Sequence, residues 1–132
     1  MPEVILCNNV PATAVTTINT TDTLLTTNNI KSTEFNHIQV DHTITIATTG
    51  TSLLAPMNVK LKLNGVTLFT WVFQTPAAAI GQDTKLLSYL SDARQAGGLS
   101  VGGALTLTVN TAVQDTHTTI TVLSAYVKSL DD

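Results

Sequence analysis

Charge is scarce in this chain of 132 residues. Asp, Glu, Lys and Arg together make up 11% of it, less than half the ~25% of an ordinary soluble domain. Six residues are basic and the net charge is −3, which argues against nucleic acid as a partner, because that binding rests on clustered Lys and Arg neutralising phosphates. Cysteine is nearly absent. The single thiol, Cys7, has no partner for an internal disulfide, so an oxidised, disulfide-stapled secreted scaffold is not expected. Cys7 reads as a small buried apolar residue with no basic neighbour or helix to activate it. Long apolar runs are missing: no stretch approaches the ~18 residues of a spanning helix, so no membrane partner is expected. Met1-Pro2-Glu3-Val4-Ile5-Leu6 lacks the basic and long apolar regions of a signal peptide, and the sequon at Asn19-Thr20-Thr21 carries little weight without one.

What fills the sequence instead is threonine, at about one position in five. A β-branched, hydroxylated side chain suits a pleated, half-solvated sheet. A coat of Thr and Asn with few charges defends strand edges poorly, so the edges are expected to be closed within the fold or occupied by neighbours. One domain of this length buries roughly two-thirds of its unfolded surface and needs no covalent staple.

The strongest local signal is a hairpin. Val59-Lys60-Leu61-Lys62-Leu63 alternates, Asn64-Gly65 supplies the residues that a type I′ turn needs at positive φ, and Val66-Thr67-Leu68-Phe69-Thr70-Trp71-Val72-Phe73 returns. An uninterrupted two-residue register pairs Leu63 with Val66, Leu61 with Leu68, Val59 with Thr70 and Met57 with Val72 on one face. Phe69, Trp71 and Phe73 then form a row on the other face, flanked by Lys60, and pack against a second sheet or another subunit.

Residues 36–47 form the cleanest alternation elsewhere, with Ile38, Val40, His42, Ile44 and Ile46 on one face, unless a turn near Asp41-His42 splits it. Residues 104–110 alternate with Leu105, Leu107 and Val109 inward. Residues 118–130 form the last strand, whose phase slips near Leu123-Ser124 unless both of its faces are covered. Asp83-Thr84 fits the cap of a short helix carrying Leu86, Leu87, Leu90 and Ala93 on one side and stopped at Gly97-Gly98; a strand over 85–90 is the rival. Residues 1–34, including Val4, Ile5 and Leu6, read as edge strands or an extended N-terminal arm, ahead of a sandwich domain over 35–132. Seven to eight short strands and at most one short helix favour an all-β antiparallel sandwich of jelly-roll type, with an immunoglobulin-like sandwich as the alternative.

Chemistry-bearing residues form no frame. His37, His42 and His117 lack metal-ligand spacing, with His37 and His42 on opposite faces of a continuous strand. Even with Asp41 and Asp115 alongside them, neither a metal nor another cofactor is expected. Glu3, Asp22, Glu34, Asp41, Asp83, Asp92 and Asp115 offer no paired-carboxylate arrangement. No nucleophile elbow or phosphate loop is present, so no enzymatic activity is expected. The row at Phe69, Trp71 and Phe73 leaves a carbohydrate-stacking platform as the competing functional reading.

In composition and strand pattern the chain resembles the capsid decoration, or cement, proteins of tailed bacteriophages, which are short, cysteine-poor, β-rich and rich in Thr, Ala, Gly and Asn. Tail or fibre modules and C1q-like heads share much of this look. The resemblance implies a non-enzymatic virion protein assembled in the host cytoplasm, a homo-oligomer (a trimer) bound to the major capsid protein. It also implies that Val4, Ile5 and Leu6 contribute to an arm that grips the shell.

Overall fold

The computed structural model describes residues 3–9, 14–15, 17–30, 37–48, 56–74, 81–90 and 103–130. Nine strands lie among them: β1 (Glu3–Asn9), β2 (Ala14–Val15), β3 (Thr23–Ile30), β4 (His37–Thr48), β5 (Pro56–Leu63), β6 (Val66–Gln74), β7 (Gly81–Leu90), β8 (Gly103–Thr111) and β9 (Thr118–Leu130). They wrap as nested antiparallel pairs, β5 with β6, β4 with β7, β3 with β8 and β1 with β9. Pairing of β4 with β9 and of β5 with β8 joins these into two sheets, β1-β9-β4-β7, with β2 also on β9, and β3-β8-β5-β6. The fold is an antiparallel β-sandwich of jelly-roll type. Within the first 34 residues, β1 and β2 pair with β9 while β3 is an edge of the opposite sheet.

The alternation of β4 sets the core. Ile38, Val40, Ile44 and Ile46 are fully buried, with His42 in line at 1% exposure. Met57, Val59 and Leu61 on β5 and Leu107 and Val109 on β8 face them from the other sheet and are equally buried. The slip expected near Leu123-Ser124 is a bulge: Thr43 pairs with Ser124 and Ile44 with Val122, so Leu123 is the extra residue and is 42% exposed. One chain segment therefore buries Val122 and then Ala125 on the same side.

The segment over 83–90 is a strand, not the expected helix. β7 pairs residue for residue with β4, from Gln39↔Leu90 to Thr48↔Gly81. Leu87 alone is fully buried, Lys85 and Tyr89 are half-buried on the same side, and Leu86 and Leu90 point outward, 70% and 57% exposed. A helix would have gathered these leucines into one stripe. As a strand the segment caps the open side of β4, and long-range ladder bonds override the local capping signal. Ala93 and Gly97-Gly98 fall outside the described residues.

The hairpin turn forms at Asn64 (φ 51°) and Gly65 (φ 83°). Its register departs from the uninterrupted one. Leu63↔Val66 and Lys62↔Thr67 pair as expected, and then Leu61 pairs with Phe69, Val59 with Trp71 and Met57 with Phe73. Leu68 is a one-residue bulge, and one residue of slip turns every later side chain over. The aromatic row is thereby brought to the core face, and Thr70 and Val72 take its place outside. The physical preference is plain. Full burial of a Phe-sized side chain is worth roughly 1.5–3 kcal/mol, whereas the uninterrupted register would have buried Thr70 in place of Trp71.

A Cβ built on Gly65 meets nothing within 4 Å. Gly65→Ala is therefore expected to cost only the left-handed backbone penalty, about 1 kcal/mol, read as a lower urea midpoint with an unchanged slope.

Candidate functional site

β6 and β7 end their sheets on the same side of the sandwich, and their inward side chains meet across the gap between the sheets. Trp71 packs against both halves of the core, Phe73 against one half, and Leu68 and Tyr89 against the other. Phe69, 46% exposed, sits edge-on to Trp71 with ring centroids 5.0 Å apart at 62°, and 6.1 Å from Tyr89 at 43°. Lys85 Nζ lies 5.5 Å above the Phe73 ring. The cation over the aromatic row is thus Lys85 of the other sheet rather than the expected Lys60. Sequence reading missed Lys85 and Tyr89 because it placed them in a helix; their alternation with Thr84, Leu86 and Ser88 was the signal.

The exposed surface of this side is mixed, with large hydrophobics set among Thr67, Thr70, Gln74, Gln82, Asp83, Thr84 and Ser88. Among the described residues the exposed large hydrophobics are Leu24, Val66, Phe69, Val72, Leu86, Leu90, Val113 and Leu123. Five of those eight, Val66, Phe69, Val72, Leu86 and Leu90, belong to β6 and β7. β6, with sequence VTLFTWVFQ, has no charged residue.

Lys60 stands on the outer face of the four-stranded sheet. The residues there form a polar web around Asp22. Lys62 bonds to one carboxylate oxygen, Lys60 Nζ lies 3.5 Å from the other, and Asn110 Nδ2 donates to that second oxygen at 2.6 Å. Asn58 Nδ2 in turn donates to Asn110 Oδ1 at 3.1 Å. The Lys62 hydrogen bond holds the Asp22 carboxyl below its usual pKa, against partial desolvation and with help from Asn110 and Lys60. An ion pair this near the surface contributes under about 1 kcal/mol; it fixes the outer faces of β5 and β8 to the entry of β3.

The remaining candidates are scattered. His42 is buried between the sheets, His117 is exposed in the β8–β9 turn, and the His37 side chain lies outside the described residues. Asp41 faces outward and accepts from Ser88 Oγ at 2.6 Å and Gln39 Nε2 at 3.2 Å. Asp115 is buried; it accepts from the His117 backbone N–H at 2.8 Å and Thr118 Oγ at 2.9 Å, and its backbone bridges to Ile18. That carboxylate organises a turn. Among the described residues no three His, Cys, Asp or Glu side chains gather as a metal site, and no helix is long and apolar enough to cross a membrane. Val4, Ile5 and Leu6 lie in β1 against β9; of their side chains, and that of Cys7, nothing is described.

No family model and no curated protein matches this chain. Solved structures do. The sugar-binding C-terminal domain of EclA superposes with a TM-score of 0.53 at 11% identity, over 90% of this chain and 78% of that one. A structure of infectious bursal disease virus, Gx strain, superposes with a TM-score of 0.59 at 8% identity, over 98% of this chain and 32% of that one. This chain therefore spans about a third of the viral chain's length. What these proteins share with it is the fold. Its function has to be argued from its own surface.

Proposed function

We propose that this chain is a non-enzymatic structural protein of a virus particle: a homo-oligomeric jelly roll that decorates and stabilises a capsid by binding the major capsid protein. The observation that supports this reading is the side made by β6 and β7, where five of the eight exposed large hydrophobics among the described residues lie and β6 carries no charge. Large exposed hydrophobics concentrated at one end of the two sheets are a mark of protein contacts. Burial of that side returns roughly 25 cal/mol for each Å² of apolar area removed from water. The proposed mechanism is accordingly adhesive, with Phe69, Trp71 and Phe73 stiffening the side from within and Val4, Ile5 and Leu6 attaching the first strand. Asp22, Asp41 and Asp115 are each bonded as structural elements, which supports the non-enzymatic reading. The test is cosedimentation of the purified protein with capsids lacking it. Saturable binding that raises the capsids' melting temperature supports the proposal; failure to bind any shell removes it.

A second reading has its own observation. Phe69 is open to solvent beside Trp71 and Tyr89, an arrangement on which the apolar face of a sugar ring can stack. A carbohydrate- or receptor-binding module of a tail or fibre would show quenching of the single tryptophan by a glycan, with no affinity for capsids.

A further inference from the structure

The geometry points to an oxyanion-binding site on the outer face of the four-stranded sheet, where Asn58 and Lys60 of β5 and Thr108 and Asn110 of β8 take a sulfate or phosphate group. The inference goes beyond both readings above, neither of which uses this face.

The four side chains mark the corners of one patch. Lys60 pairs in the ladder with Thr108, and Asn58 with Asn110. Neighbouring strands lie about 4.8 Å apart, and same-face residues about 6.7 Å apart along a strand, so a tetrahedral oxyanion over the centre is within side-chain reach of all four corners. Thr108 is only 7% exposed, and its hydroxyl has no hydrogen-bond partner among the described residues. A buried hydroxyl left unpaired is costly, and a ligand oxygen that accepts from it removes the cost. Lys60 Nζ makes a single polar contact among the described residues, the one with Asp22 at 3.5 Å, which is too long for a charge-assisted hydrogen bond. Asn58 gives one amide N–H to Asn110, and Asn110 gives one to Asp22, which leaves each with a second N–H to donate.

The occupant follows from charge and from the balance of donors and acceptors. The four strands of this sheet carry two charged side chains, Lys60 and Lys62. Asp22, just before β3, is the one carboxylate that meets them among the described residues. Two cations against one anion leave this face positive on a chain whose net charge is −3. Asp22 opposes an anion, but Lys62 and Asn110 already engage both of its oxygens. All four corner residues have a donor to spare, whereas spare acceptors are the Asn58 amide oxygen and the Thr108 hydroxyl. A metal ion would meet ammonium groups, and a neutral sugar hydroxyl donates as readily as it accepts. An acceptor-only anion fits this surplus of donors, and its hydrogen bonds to Lys60 are of the stronger, charge-assisted kind. Two lysines are too few for a nucleic-acid backbone, so the group is a single small oxyanion. Drawing Lys60 away from Asp22 also opens the space beside Thr108, its ladder neighbour.

The experiment is an amide NMR titration of the full-length, nitrogen-labelled protein with sodium sulfate, sodium phosphate and a sulfated oligosaccharide, with sodium chloride holding the ionic strength constant. Saturable shifts are expected in the side-chain amide signals of Asn58 and Asn110 and in the backbone of Thr108, with β9 unmoved. Lys60→Gln should weaken binding about tenfold, and Lys85→Gln, on the aromatic side, should leave it unchanged. Thr108→Val keeps the shape of the side chain and removes the hydroxyl. It should weaken binding about fivefold and raise the melting temperature of the anion-free protein, a gain that a hydroxyl already satisfied would not give. Tighter binding of the sulfated oligosaccharide than of sulfate assigns the group to an acidic glycan, and equal binding assigns it to the free ion; both support the site. No saturable shift with any of the three probes, or binding that survives Lys60→Gln at full strength, overturns it. In capsid cosedimentation Lys60→Gln should behave as the unmodified protein does, so failure of this site and failure of the adhesive reading are read separately.

Discussion

Trp71→Ala is expected to destabilise the fold by about 3 kcal/mol, the lower end of the range for truncating a large aromatic in a core. Trp71 is the residue that packs against both halves of the sandwich core, and its ring supports Phe69 edge-on at 5.0 Å. The lower end applies because the site is at the rim and half-buried, so water can enter part of the space left behind. Val72→Ala, one position along, should move stability by no more than about 0.5 kcal/mol, since its side chain is 60% exposed on the outer face. The measurement is urea unfolding followed by far-ultraviolet circular dichroism, because the mutation removes the fluorophore. The pair of variants reads the register directly. Without the bulge at Leu68, Val72 would line the core and Trp71 would stand outside. A costlier Val72→Ala than Trp71→Ala would therefore refute the bulged register and with it the placing of the aromatic row.

Much of the fold was legible because its determinants are local or strictly periodic. Asn64-Gly65 needs positive φ and turns where it stands. The run from Ile38 to Ile46 alternates without a break, so one face had to be buried, and the doubled apolar faces of 118–130 pointed to the slip at Leu123. The candidate side was harder to read for two reasons. A bulge is a one-residue event without a residue code of its own; its only trace in the sequence was a returning strand apolar on both faces, where the larger set, Phe69, Trp71 and Phe73, competes for the core. The segment at 83–90 carries a helix-capping dipeptide and three leucines that satisfy either period, and its strand state comes from pairing with β4, some forty residues away. Lys60 shows the consequence. Once Phe69 turned inward, Lys60 was left on the polar face with Asp22, and the cation over the aromatic row came from β7, which the local reading had coiled.

Acid should loosen this sandwich through one side chain. His42 lies on the core face of β4, 1% exposed, paired in the ladder with Leu87 on β7 and Ala125 on β9. Thr26 Oγ1 of β3, in the opposite sheet, is 3.4 Å from its Nε2, and Nδ1 has no hydrogen-bond partner. Desolvation lowers its pKa from 6.5 to about 4, only partly opposed by Asp41, the next residue in the chain, on the other face of the strand. The folded protein thus refuses a proton that the unfolded chain accepts. Between pH 6.5 and 4 the unfolded state binds more protons, so stability falls as the pH falls. At 1.36 kcal/mol per unit the loss amounts to about 3 kcal/mol by the bottom of that window. His42→Leu keeps an apolar side chain at the position and removes the titration. Its unfolding free energy should therefore be nearly flat over the pH interval in which the unmodified protein weakens. Carboxylates such as Asp22, whose pKa is lowered in the fold, titrate in both proteins and cancel in the comparison. The first element to respond should be β3, because Thr26 ties that edge strand to the ring; hydrogen exchange at pH 5 should accelerate in β3 before β5. Parallel stability profiles for the two proteins would show that His42 keeps its proton equilibrium unchanged on folding, which a ring sealed between two apolar sheets cannot do.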